Sequence, residues 1–313
     1  MKAQTRLSAI AALAILSTVP TFASFELSLV TESGSNAIRR LDPENRVVLG
    51  SFGANNLNGP SALAVDQATG TVYVVNSYFG SGISRITALN YSTGAFINEW
   101  TLNANFQITS IAFRPGFGLY VPVNNGIRLY QTDGTIRATF AGDGLTRISS
   151  VSYSQVYNEV YAHDADGFTR YYNGATTSGT VSGFANVNGL VNQVGFSAVN
   201  GLTSFGGNAN TNDLVRFDHF SLSTATIAST PGFRITAVNA AHGNRMYAAG
   251  GTGSSESYIT TFDQQGSQVS ERWTVPGGTG IRSMATVVAP EPGTMIALSA
   301  GILALLRRKK SAK

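Results

Sequence analysis

A short apolar run of alternating character returns along this chain at near-constant intervals. After the run that begins at Ala62 come SIAFR from Ser110, SVSYS from Ser150, NQVGFS from Asn192, AVNAA from Ala237 and SMATVV from Ser283. The steps are about 48, 40, 42, 45 and 46 residues, a propeller-like period rather than that of a shorter solenoid repeat. Between residues 24 and 289 helical periodicity is almost absent. Short alternating or β-branched runs dominate, punctuated by Gly, Asn, Asp, Ser and Thr.

The clearest unit is PSALAVDQATGTVYVVNSYFGSGISRITALNYSTGAFINEW, residues 60–100. It parses as strands over 62–65, 71–75, 83–89 and 95–101, with a turn at Ser92-Thr93-Gly94. Four antiparallel strands make one blade. Second strands recur as GLYVPV (118–123), NEVYAHD (158–164), NGLTSFG (200–206) and NRMYAAG (244–250). Third strands end in turns such as Thr132-Asp133-Gly134 and DQQG at 263–266. Residues 25–52 hold three strands and lack a first one, whereas 281–288 is a first strand with nothing after it. Joined, they complete a sixth blade. The expected fold is therefore all-β: a six-bladed propeller over 24–289, closed by pairing of the N- and C-terminal strands, so that no end blade is left to fray. Seven blades would need a repeat near 38 residues, which the observed steps disfavour.

The 60–100 unit resembles the NHL and YVTN-type propeller repeats, through Pro60, Ala64, Val65, Asp66, Gly70, Tyr73 and Val74. The other blades match in outline only, so the resemblance supports the fold and little else. Asp66 is most simply a turn residue bonding nearby amides.

The formal charge of +4 belongs to the chain's two ends. Lys2, Arg6, Arg307, Arg308, Lys309, Lys310 and Lys313 account for seven of the 21 cations. The 14 arginines left in 24–289 face 16 acidic residues. A body at −2 has no basic face for a phosphate backbone, and nucleic acid is not an expected partner. With no cysteine there are neither disulfides nor thiolate metal sites. Lys2 and Arg6 precede an apolar run over 7–19, and Thr21-Phe22-Ala23 offers small residues before a cleavage point. Residues 1–23 read as a secretory signal peptide cut after Ala23, which implies the Sec export machinery.

At the other end, Pro290-Glu291-Pro292 precedes 13 uncharged residues, 294–306, and then Arg307-Arg308-Lys309-Lys310. As a helix the apolar run spans roughly 20 Å, short of a hydrocarbon core of about 30 Å. That order of features fits a transient membrane stop with a marked cleavage site. It resembles the PEP-CTERM sorting signal of Gram-negative bacteria over about 24 residues, with Ala289 where the usual motif has Val. The resemblance implies recognition by a membrane-embedded exosortase, removal of residues 290–313 with their short hydrophobic helix, and delivery to the outer surface or extracellular matrix, often in exopolysaccharide producers.

Chemistry in the body is sparse. His163, His219 and His242 form neither an HExxH pair nor zinc-finger spacing, and no GxSxG, GxxxxGK[ST] or complete GxGxxG occurs. No catalytic or metal residue is assigned. His163-Asp164-Ala165-Asp166-Gly167 begins like a calcium loop, but the twelfth position is Ala175 where a bidentate Glu would stand. A strand-to-strand turn is the simpler reading, with calcium as the one cofactor left open. Loops between second and third strands, at 31–36, 76–82, 124–126, 206–213 and 250–256, should gather on one face. There Asn76, Tyr78, Phe79, Asp164 and Asp166 are the candidate ligand residues. Neutral amides and hydroxyls suit a sugar or polymer. Six-bladed propellers also include gluconolactonase-like metal hydrolases. Of the residues ending first strands, only Asp66 is a carboxylate beside Arg114, Ser154 and Ser197, and the fold alone supplies no ligand set. Non-catalytic binding or scaffolding of exopolysaccharide or a surface protein is the expectation, with a lactonase-like hydrolase as the alternative.

Overall fold

The protein is described from a computed structural model. It describes residues 24–32, 34–77, 83–102, 107–123, 126–141, 148–154, 159–164, 168–173, 181–186, 198–200, 203–208, 211–218, 223–230, 234–241, 245–251 and 256–290. Residues 1–23, where the sequence predicts a signal peptide, and the tail 291–313 lie outside them, as do Tyr78, Phe79, Asp166, His219 and His242.

Among the described residues, short runs of β-branched and aromatic residues separated by turn formers give 24 strands, grouped in six four-stranded antiparallel sheets. The chain starts with β1 (Ser24–Glu32), β2 (Ala37–Asp42) and β3 (Val47–Phe52). The unit quoted above forms β4 (Pro60–Asp66), β5 (Thr71–Ser77), β6 (Ser84–Asn90) and β7 (Phe96–Leu102). Next come β8 (Ala112–Arg114), β9 (Gly118–Val123), β10 (Gly126–Tyr130) and β11 (Ile136–Ala141). Then follow β12 (Ile148–Ser154), β13 (Glu159–Asp164), β14 (Phe168–Asn173) and β15 (Val181–Asn186). A fifth group is β16 (Ala198–Asn200), β17 (Thr203–Asn208), β18 (Asp213–Asp218) and β19 (Ser223–Ser229). The last is β20 (Arg234–Ala241), β21 (Arg245–Gly251), β22 (Tyr258–Asp263) and β23 (Trp273–Thr274), after which β24 (Ile281–Pro290) leaves its own repeat. It joins the start of the chain in the order β24-β1-β2-β3, and the arrangement is that of a β-propeller.

Burial falls from the inner strands outward. All of β5 and all of β9 are buried, because sheets cover both of their faces, whereas outer β3 alternates exposed and half-buried. Each apolar cluster is shared by two neighbouring sheets. Val75 and Ile86 meet Leu119, Val121 and Tyr130 in one, and Tyr120, Leu129 and Phe140 meet Val151 and Val160 in the next. Phe205 and Leu214 pack with Met246 and Phe262, and Val30 and Leu41 pack with Tyr247, Ile259 and Ile281.

Hydroxyls at the start of the first strands stitch the sheets together. Ser61 Oγ donates to Ile108 O (2.6 Å), Ser110 Oγ to Val151 O (3.0 Å) and Thr236 Oγ1 to Ile281 O (2.5 Å). Ser283 Oγ accepts from Leu63 N (3.2 Å). These residues stand at or just before the apolar run in four of the repeats, and each reaches a backbone group of a neighbouring blade. A second device joins the outer strands. The turn glycines Gly94 (φ +77°) and Gly134 (φ +91°) press on Phe52 and Trp100 of the preceding sheet, where a Cβ would come within 2.7 and 2.6 Å of side-chain carbons.

One expected element is displaced. NQVGFS (192–197) lies outside the described residues, and the first strand of that sheet is Ala198–Asn200. Asn200 pairs with Thr203, so the chain reverses just after Asn200, and the second strand is Thr203–Asn208 rather than 200–206.

Candidate functional site

Second strands end on one face, where the sequence placed its ligand residues. Asn76, 6% exposed, uses its amide internally: Nδ2 donates to Thr87 Oγ1 (2.6 Å), and Oδ1 accepts from Asn58 N (3.1 Å). Thr87 in turn donates to Glu99 Oε2 (2.8 Å), and Glu99 pairs with Arg85 at 2.9 Å. Asn76 thus braces the 56–58 segment against its own sheet. Asp164 closes β13 opposite Ile148, and His163 pairs with Ser150 and Thr169.

Glu32 ends β1 at the equivalent position and is fully buried. Its Oε2 accepts from Arg39 Nε (2.7 Å) and Ser35 Oγ (3.2 Å), while Oε1 has no partner among the described residues. Burial pushes the carboxyl above its ordinary value, against the pull of Arg39, Ser35 and the Thr279 backbone. Arg39 also donates to Pro276 O (2.6 Å) and Gly277 O (2.5 Å), tying β2 to the loop that leads into β24.

Asp66 sits at the far end of the sheet from Asn76. It opposes Thr71, whereas Asn76 opposes Pro60, and a seven-residue strand spans roughly 20 Å. Its oxygens accept from Ala68 N (3.1 Å) and Thr69 Oγ1 (2.8 Å), closing the turn that ends at Gly70. A metal set combining Asp66 with Glu32 or Asn76 is therefore not assembled. No cluster of three His, Asp or Glu occurs among the described residues. Arg114, the counterpart of Asp66, is buried, with its guanidinium over Phe117 (3.7 Å) and Tyr153 (5.2 Å) and bonded to Tyr120 Oη (3.2 Å).

The first strands enclose a cavity of about 230 Å³, lined from β4, β8, β12, β20 and β24 and reaching Gln67 in the turn after Asp66. It lies toward that turn, away from the second-strand loops. No charged side chain among the described residues lines it. Its polar groups are hydroxyls and amides, among them Ser152, Asn239 and Thr286, and its rings are Phe113 and Tyr153. Asn239 Nδ2 donates to Thr286 Oγ1 (2.9 Å), and Phe113 stacks on Tyr73 at 5.7 Å. Ser152 is 4% exposed, and its Oγ has no partner among the described residues. No sequence motif marks this site, because each strand contributes only one to four ordinary residues. The repeat itself was the available signal, since first strands of a propeller surround its axis.

Comparison with known proteins bears on the tail and on the fold. The family model described as the PEP-CTERM protein-sorting motif matches residues 288–310. No curated protein matches the chain in sequence. A crystal structure of a protein of unknown function from Bacteroides caccae superposes with TM-score 0.62 at 11% identity, over 84% of this chain and 99% of that one. A nidogen/laminin complex structure gives TM-score 0.65 at 15% identity, over 83% and 98%. Likeness at that identity concerns the fold. The chain thus carries a PEP-CTERM sorting motif, which marks it for export and exosortase processing, behind a body with a β-propeller-like fold.

Proposed function

We propose that the chain is a non-catalytic binding or scaffolding propeller, delivered to the outer surface or extracellular matrix of a Gram-negative bacterium. Its partner there is an exopolysaccharide or a surface protein. The observation that carries this reading is the sorting motif at 288–310, an address for the cell envelope. The near-neutral body supports it, since nothing there favours a nucleic acid.

The body acts, in this reading, as a closed ring of six blades. Support comes from six four-stranded sheets whose first strands adjoin in cyclic order. β4 meets β8, β8 meets β12, β12 meets β16 and β16 meets β20. Thr236 and Asn239 then bond β20 to β24, and Ser283 bonds β24 to β4. Such closure gives a rigid platform without a free blade edge.

The test is intact mass and location in the native host. Protein from the outer membrane and medium that starts near Ser24 and ends near Pro290 or Pro292 supports the proposal. A product retaining Lys313 and confined to the inner membrane overturns it.

A further inference from the structure

We propose that the face on which β24 ends is a lipid-docking face, seated on a phospholipid bilayer through apolar side chains at the starts of the outer strands. This inference rests on the sorting motif as a membrane address and is independent of which external partner the body binds.

Strand direction fixes the face. Ser283 Oγ accepts from Leu63 N, and three residues on Thr286 O accepts from Gln67 Nε2 (3.4 Å), so β24 runs alongside β4 toward the Asp66–Gly70 turn. Thr236 and Asn239 of β20 meet Ile281 and Thr286 in the same sense. Third strands return to that end, where Tyr91 N donates to Gly70 O (3.0 Å) beside the turn into β7. Thr294, the first residue of the apolar stretch 294–306, stands seven residues beyond the core side chain of Val287. Whatever their conformation, seven residues reach no farther than about 25 Å. The loops beyond Asn76 lie a further strand length away, roughly 20 Å, and only a path around a four-stranded blade leads to them. A membrane that holds the tail therefore meets the turn face and not the opposite one.

The exposed apolar residues stand at the same end. Among the described residues seven large apolar side chains are exposed. Five of them, Val47, Phe96, Ile97, Ile136 and Val269, lie within two residues of the turn from a third strand to the outer edge of its sheet. Bonds from Asn90 N to Ala95 O, Gln131 N to Thr135 O and Asp263 N to Ser267 O close three of those turns, and Val47 opposes Asp42 across the fourth. Of the other two, Leu49 follows in β3 and Ile83 precedes β6 at the opposite end. Four sheets thus offer apolar groups at equivalent places, which suits a flat, extended partner rather than a peptide in one groove. Arg46 and Arg137 adjoin Val47 and Ile136, and both are exposed. Such neighbours can meet lipid phosphate while the apolar side chains enter the acyl boundary. Arg46 keeps a loose 3.8 Å pair with Glu271, and Arg137 lies over the Phe117 ring (4.7 Å). The carboxylates of the same turns, Asp42, Asp66, Asp133 and Asp263, accept from backbone amides of their own turns.

The chain has no cysteine, so one introduced thiol takes one label. The full chain carrying Ile97→Cys, Ile136→Cys or Ile83→Cys is labelled with a bimane and reconstituted in phosphatidylethanolamine–phosphatidylglycerol vesicles containing a headgroup-nitroxide lipid. Quenching at residues 97 and 136 should be at least threefold that at 83. A protease site in place of residues 291–293 then frees the body from its tail on the vesicle. The parent body should stay bound. A body with Phe96→Ser, Ile97→Ser and Ile136→Ser together should bind at least tenfold more weakly with its melting temperature unchanged, because all three side chains are exposed. Equal quenching at the three positions overturns the orientation. A parent body that leaves the vesicle once cut, or a triple variant that binds as well as the parent, overturns the docking and leaves the sorting reading intact. Dimerisation without vesicles that the triple variant abolishes assigns these side chains to a second copy and also overturns it. A full chain that fails to float with vesicles overturns both the docking and the tail as a membrane stop.

Discussion

Removing the Arg39 side chain tests how the meeting of the chain's two ends is held. Arg39 is the cation beside a fully buried Glu32, and its other two donors hold the Pro276 and Gly277 carbonyls. Arg39→Ala leaves that carboxylate enclosed without its counter-charge, which in buried pairs costs about 3–5 kcal/mol. The two freed carbonyls add little, because they can turn to water. For a body of this size roughly 2–4 °C accompanies each kcal/mol, so the melting temperature should fall by roughly 6–20 °C. Glu32→Gln keeps the shape and an acceptor for Arg39, and should cost much less. The double variant should melt above Arg39→Ala alone, since no buried charge is stranded. Circular-dichroism melts of the four proteins form the cycle. The pH dependence carries a sign as well. Burial raises the folded value of Glu32 above 4.5, so its contribution is complete below that pH and is lost as pH rises through the raised value. Glu32→Gln should flatten this limb, and Arg39→Ala should steepen it. An Arg39→Ala protein melting within about 2 °C of the parent, or a strictly additive double variant, would refute the coupling.

Two further outcomes follow from the core. Tyr73, buried between Phe113 and Trp100, has its hydroxyl pushed up to about 12 from 10.0 by burial and by Asp66. Its neutral form therefore contributes stability that is full below pH 10 and lost toward pH 12, about 2–3 kcal/mol at 1.36 kcal/mol per pH unit. The stability difference between pH 9 and 11.5, read from urea melts, should shrink in Tyr73→Phe by about 2 kcal/mol, and an unchanged alkaline slope would count against it. Deleting 281–289 removes Ile281, Met284 and Val287 from the core, at about 1.5–3 kcal/mol each, together with the seams to Leu63 and Asn239. The loss approaches the whole stability of an ordinary domain, about 5–15 kcal/mol, so cooperative melting should disappear. An unaltered melt would contradict closure by β24.

The strands of the 60–100 unit were legible because turn chemistry brackets each one. Asp66 caps the first turn, Gly70 (φ +71°) closes it, and Asn90 Oδ1 accepts from Ser92 N and Thr93 N in the third. The joining of residues 25–52 with 281–288 was also readable, since each end of the body lacked what the other supplied. Side-chain direction was not. Asn76 looked like a loop residue offered to a ligand, yet Thr87, eleven residues on, draws it inward, and only the β5–β6 register brings them together. Likewise the hydroxyls Ser61, Ser110, Thr236 and Ser283 recur at one place in the repeat, but each finds its partner about 40 residues or more away. The cavity fails to show for the same reason, being assembled from five separate repeats.

The closing strand explains why the sorting motif stands where it does. Ser283 to Thr286 line the cavity, and Ile281, Met284 and Val287 belong to the core. Beyond Val287 the strand runs on only to Pro290, the first residue of Pro-Glu-Pro. Both prolines lack the amide hydrogen that a ladder requires, and each biases the preceding residue toward extended backbone. A cut after Pro290 spares every cavity and core residue of β24, whereas a cut before Val287 would cost a core side chain. A motif that begins three residues beyond Val287 can therefore be cut away without loss of any core side chain of β24.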